Sequence, residues 1–133
     1  MIAGGCRLPE CSLRHPERLL VVRRDGSSVA YPAFRVGQFA TGDGEVVAAY
    51  NLKLVRVTST RLVPLLTSVE LAKALKVPST SIADIYAPAV DAHGDIYFVT
   101  SIIHRRACEN RILERTRGGS IHQLSAAHST TCA

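Results

Sequence analysis

Apolar residues fall along this chain in two regimes. Between residues 17 and 63 they come in short runs broken by turn chemistry. Leu19-Leu20-Val21-Val22 is followed by Asp25-Gly26-Ser27-Ser28, and Val29 to Val36 resumes with Tyr31 and Phe34, a pattern that predicts a β-hairpin. Pro32 has no N–H for the ladder, so the second strand belongs at an edge or is shortened. A further turn, Thr41-Gly42-Asp43-Gly44, precedes the run from Glu45 to Thr58. There Leu52, Leu54 and Val57 alternate imperfectly with Lys53 and Arg56, which predicts a bulge or two shorter strands. This half reads as a small β-meander, and the Asp residues of its turns as ordinary turn formers.

From Leu65 the spacing becomes helical. Thr67 and Glu70 have the form of a capping box, with Leu66 and Leu71 placed as a hydrophobic staple. Leu71, Ala72, Leu75 and Val77 give a first helix its apolar face. Pro78 resets the chain, and Ile82, Ile85 and Tyr86 predict a second helix over Ser79 to Tyr86. Ala89-Val90 and Asp95 to Val99 read as two short strands around the turn Asp91-Ala92-His93-Gly94, with His93 exposed at its tip. Thr100 or Ser101 then caps a helix to about Arg115, with Ile103, Ala107, Cys108, Ile112 and Leu113 inward, and Gly118-Gly119 ends it. The expected organisation is an irregular arm over 1–16, a β-rich part over 17–63, a helical module over 64–117 and a flexible Ser/Thr/His-rich tail over 118–133, together one compact domain. No internal repeat is legible.

Charge and chemistry sharpen this only a little. With 16 Lys and Arg against 11 Asp and Glu, the chain carries +5, which suits a polyanionic partner and also plain solubility. The absence of Trp and scarcity of other aromatics argue against a stacking platform for single-stranded nucleic acid. No apolar run is long enough for a bilayer and no secretory signal is visible, so a cytoplasmic protein with reduced thiols is expected. Cys6, Cys11 and His15 are zinc-type donors, but their spacing departs from short zinc-knuckle gaps; His122, His128 and Cys132 are too loosely placed. No metal or other cofactor is expected. Cys108 follows His104 by four residues, within reach on a helix for a thiolate–imidazole contact, yet it falls on the inward face as a small buried hydrophobe. No other catalytic constellation is present, and the chain is not expected to be an enzyme.

The order helix, turn, helix, short hairpin and capped helix, with Leu71-Ala72, Leu75, Val77, Ile82 and Ile85 at the corresponding apolar positions and Ile96-Tyr97-Phe98 leading onward, resembles the winged helix-turn-helix of the excisionase and MerR-type superfamily over residues 64–115. The resemblance implies an α+β fold, a β-meander followed by a winged module, and a small DNA-binding accessory or regulatory protein. Ser79, Thr80, Ser81 and Asp84 would then face double-stranded DNA, and Lys73, Lys76, Arg105 and Arg106 its phosphates, with a homodimer or protein partner formed through the β-rich half. The chain departs from the pattern in three ways. Lys76 stands where a turn glycine is usual, the second helix lacks the side chains that make bidentate base contacts, and Asp91 and Asp95 make the wing acidic. The alternative is a protein-interaction module, an adaptor or inhibitor that keeps the helical unit for packing and docks through a β-edge near Val29 to Val36.

Overall fold

The computed structural model describes residues 2–4, 18–32 and 39–129. Strand accounts for about 61% of it and a single α-helix is present, so the chain is predominantly β and the α+β winged-helix expectation is overturned. Three antiparallel sheets follow one another. The first holds β1 (Ile2–Gly4), β2 (Arg18–Val22) and β3 (Ser28–Pro32); the second holds β4 (Phe39–Gly42), β5 (Glu45–Ala49), β6 (Lys53–Val57) and β7 (Leu62–Thr67). The third holds β8 (Ile82–Val90), β9 (Ile96–His104), β10 (Ala107–Arg115) and β11 (Ile121–Ser129), and in every sheet the strands lie side by side in chain order. Helix α1 (Ser68–Leu75) and a 3₁₀ turn (Ser79–Ser81) carry the chain from the end of β7 to the start of β8.

The second sheet is the middle of a stack. One of its faces sends Val47, Ala49, Leu54 and Leu66 against Ile82, Ile85, Ile96, Phe98, Ile102 and Leu113 of the third sheet, with Leu71 and Ala72 of α1 closing that core. Its other face sends Ala48, Val55 and Val57 against Val21, with Val29 and Tyr31 beside it. Since successive side chains of a strand point to opposite faces, consecutive buried residues such as Val47-Ala48-Ala49 require a cover on both sides. The first strands of the second and third sheets lie next to each other, and Gly42 on β4 makes that approach possible. A Cβ there would stand 2.5 Å from the Val90 carbonyl oxygen and 2.9 Å from the Val90 Cβ.

The second and third sheets are copies of one design. The β6–β7 turn is closed by the Thr58 N–H to the Arg61 carbonyl, the β10–β11 turn by the Thr116 N–H to the Ser120 carbonyl. A bulge falls at the same place in both: between Leu54 and Val55 on β6, leaving Leu65 unpaired on β7, and between Ile112 and Leu113 on β10, leaving Leu124 unpaired on β11. The first sheet repeats the last hairpin of this unit. Its turn is closed by the Arg23 N–H to the Ser27 carbonyl, with Gly26 at φ +86° where the β10–β11 turn has Gly119 at φ +96°. A repeat is therefore present that sequence inspection does not reveal.

Several expected elements survive. The expected hairpin turns at Asp25-Gly26 and is described as far as Pro32, its continuation to Val36 lying outside the described residues; the Glu45 to Thr58 run divides into two strands with a bulge, and Thr67 caps α1 by accepting the Glu70 N–H at 3.2 Å. Lys76, in the glycine-like position, adopts the left-handed conformation at φ 57° and ψ 43°. The second and third helices do not exist. Ser79–Ser81 is a single 3₁₀ turn, Ile82 begins β8, and Thr100 to Arg115 is the β9–β10 hairpin with Arg105 at φ 56° in its turn. Of the segment read as a flexible tail, Ile121–Ser129 pairs along β10 as β11, and 130–133 lie outside the described residues. The expected arm over 1–16 lies outside the described residues apart from β1.

Gly42→Ala is expected to lower stability by about 1–3 kcal/mol, the usual cost of overpacking a close contact. Gly118→Ala, whose added Cβ meets only the Thr116 Oγ1 at 3.9 Å, serves as the near-neutral control. Urea unfolding monitored by circular dichroism separates the two.

Candidate interaction surface

Among the described residues the third sheet is the last of the stack, and its two faces differ accordingly. Along β9 the residues Ile96, Phe98, Thr100 and Ile102 are buried toward the second sheet, while Tyr97, Val99 and Ser101 are half-buried and Ile103 is 41% exposed on the opposite face. The register places Ile112 directly across from Val99, and Val99 across from Tyr86, so these three form one row over that outer face. Ile112 is 45% exposed and Leu124, at the β11 bulge, 53%. Two pairs of polar side chains on this face satisfy each other: the Tyr97 hydroxyl donates to Asp91 Oδ2 at 3.2 Å, and the Ser101 hydroxyl to Asn110 Oδ1 at 2.7 Å. Burial pushes the Asp91 carboxyl up, but the N–H groups of Asp95 and His93 and the Tyr97 hydroxyl hold it below its ordinary value overall.

The sheet's outer edge is β11. Its nine residues pair only with β10 among the described residues, and the run Ile121 to Ser129 contains no Lys, Arg, Asp, Glu or Pro. Natural sheets usually protect an edge of that length with charge or proline; here the bulge at Leu124 is the protection visible.

On the inward side of the same sheet, Glu109 is 8% exposed and is held by Arg111, whose Nε and Nη2 donate at 2.6 and 3.2 Å. His104 Nε2 stands 3.5 Å from the same carboxylate, and His128 is its register partner on β11. The Arg111 hydrogen bonds, acting against desolvation, hold the Glu109 carboxyl below the usual glutamate range. His104 thus faces Glu109 across the hairpin, and Cys108 pairs in register with Ile103; the helical His104–Cys108 contact does not occur. Cys108, on the outer face beside Ile103, is nonetheless buried and is disulfide-bonded, so the outer face is covered at that position; the bond removes it as a thiolate nucleophile and corrects the expectation of reduced thiols. No group of three or more His, Cys, Asp or Glu among the described residues is arranged to hold a metal ion. His122 and His128 are exposed along β11, while Cys6, Cys11, His15 and Cys132 lie outside the described residues.

The residues expected to bind DNA do share one end of the molecule. Lys73 is exposed on the last turn of α1, Lys76 is exposed at its left-handed C-cap, Ser79 and Thr80 are exposed and Ser81 half-buried in the 3₁₀ turn, and Arg105 and Arg106 are exposed in the β9–β10 turn. No recognition helix stands among them, so nothing in the architecture supports their entry into a major groove, and the excisionase-like, helix-turn-helix reading is withdrawn. Ile103 and Ile112, assigned inward on the expected third helix, are the apolar residues of the open face instead. Period-two patterning of Tyr97, Val99 and Ile103 against Ile96, Phe98 and Ile102 is the available signal, but apolar residues on both faces and a polar Thr100 on the buried face hide it.

No helix among the described residues is long and apolar enough to cross a membrane. No protein-family model matches the chain, and neither a curated protein nor a solved structure is significantly similar to it.

Because the Glu109 carboxyl is held low in the folded state, its ionised form stabilises the fold above the ordinary glutamate pKa of about 4.3. That contribution is lost as pH falls through the depressed folded value. Acid unfolding between roughly pH 5 and pH 3 is therefore expected to be less steep in Glu109→Gln than in the wild type, as thermal midpoints across that range would measure.

Proposed function

We propose that this chain is a protein-interaction module that works through the open side of its third sheet. The supporting observation is the pairing of an uncharged nine-residue edge strand, β11, with an outer face on which Ile103 and Ile112 stand exposed. An extended segment of a partner can add to such an edge by main-chain hydrogen bonds, with alternate side chains reaching the neighbouring apolar face. Apolar positions grouped in this way on a sheet are suited to a protein partner rather than to a polyanion. The exposed lysines and arginines at the α1 end contribute solubility and general attraction. This reading uses no catalytic residue and no cofactor.

A display library of extended peptides tests it. Wild-type protein is expected to select apolar, β-prone sequences whose binding barely changes with salt. Leu124→Lys, which puts a charge at the bulge of the edge, is expected to weaken them by about tenfold or more. Failure to select any peptide, together with salt-sensitive binding to duplex DNA that is lost when Lys73, Lys76, Arg105 and Arg106 are replaced by Ala, would overturn the proposal.

A further inference from the structure

We propose that the occupant of the third sheet's open face is the first sheet of a second copy of this chain, docked head to tail. The inference rests on the interaction-module reading and names its partner.

The repeat carries the argument. Aligned on their turns, Leu54 on β6 corresponds to Ile112 on β10, and the bulged Leu65 to the bulged Leu124. In the second sheet this face is covered: Leu54 is fully buried against the third sheet and Leu65 packs on the same core. In the third sheet the matching positions, Ile112 and Leu124, are open. What covers Leu54 is the inward face of a sheet of the same design, in which Leu113 is a central buried residue. The turn alignment puts Leu20 of the first sheet in the place of Leu113 and of Val55, which is itself buried in the middle sheet. Leu20 is 37% exposed, and Ala30, its partner across the β2–β3 ladder, is exposed beside it. One end of the stack therefore offers the surface that the other end lacks.

Charge follows the same repeat. At the turn level the second and third sheets are joined by Arg117, whose Nη1 lies 3.3 Å from Asp43 Oδ2 in the β4–β5 turn. The turn alignment gives Arg24 the place of Arg117, and the β8–β9 turn, which corresponds to that of Asp43, carries Asp91. A first sheet set on the third sheet in the repeat's geometry brings Arg24 toward Asp91. Such a contact is heterologous, using different patches on the two copies, and it continues until a ring closes or a free sheet remains at each end.

Sedimentation velocity of the full chain over a dilution series tests this, in non-reducing buffer that preserves the Cys108 disulfide. A denaturing non-reducing gel run alongside excludes intermolecular disulfides as the cause of association. The wild type is expected to exceed one chain in mass at high concentration. Ile112→Glu and Leu20→Glu, both at exposed sites, are each expected to weaken association by about tenfold or more; unchanged thermal midpoints verify that they fold, and the milder Ile112→Ser and Leu20→Ser replace either one that does not. Mixing the two variants is the decisive arm, because each keeps the face the other has lost, so a mixed dimer is expected where neither variant alone forms one. A chain that is monomeric at every concentration, or variants that associate like the wild type, or a mixture that stays monomeric, would overturn the head-to-tail assembly. A monomer that still captures peptides along β11 fails this inference and leaves the interaction module standing. An assembling chain that captures none does the reverse.

Discussion

A sheet that is dry on both faces cannot stand alone, and the second sheet of this protein is in that position. Val47 and Ala48 are adjacent in sequence, point to opposite faces and are both fully buried; Leu54 and Val55 repeat this on the next strand. Neither flanking sheet can leave without wetting a complete apolar face, at about 25 cal/mol for each Å² of apolar surface exposed. The middle sheet thus couples its neighbours, as in architectures where each repeat depends on those beside it. Four-stranded meanders set face to face, with their first strands side by side, also follow one another in this way around a propeller.

The seam between the second and third sheets is not wholly apolar, and its charges have local answers. Arg115 is half-buried, and its Nε donates to the Leu65 carbonyl at 3.1 Å, an acceptor on the residue that the β7 bulge removes from regular pairing. Burial first, and then Arg56 nearby, lower its proton affinity, while Glu70 and Glu45 act in the other direction. Arg56 Nε lies 3.1 Å from Glu45 Oε1, close enough for charge pairing but outside hydrogen-bond geometry. A guanidinium tolerates such a place better than an ammonium would, because it is less strongly hydrated and offers several donors in a plane. The bulge therefore does two things: it marks the repeat and it supplies an acceptor for the next sheet's arginine.

What the sequence disclosed depended on whether a turn or a strand announced itself chemically. The β2–β3 and β4–β5 turns contain Asp-Gly, and both hairpins are legible from it. The β5–β6 and β9–β10 turns place Asn51, Leu52 and Arg105 at positive φ, where glycine is the usual signal, and so they pass as parts of a longer strand or a helix. Misreading the second of these hid the candidate surface as well as the fold. Ile103 and Ile112 suit an inward helical stripe, and only the true register across the hairpin puts them on an outer face.

The helix-turn-helix resemblance has a physical origin in β8. An unbroken strand would bring inward residues at intervals of two, but register shifts fall between Ile82 and Asp84 and again between Tyr86 and Ala89, the second with Ala87 at φ 52°. Each shift inserts a residue and resets the parity of the strand. Ile82 and Ile85 consequently both reach the core three positions apart, a spacing that an amphipathic helix also produces. With Thr67 truly capping α1 just before, the imitation was complete enough to supply a second helix that the backbone does not form. The apolar spacing recorded correctly that Ile82 and Ile85 are buried; it could not say whether helical winding or the one bulge between Ile82 and Asp84 had brought them to the same side.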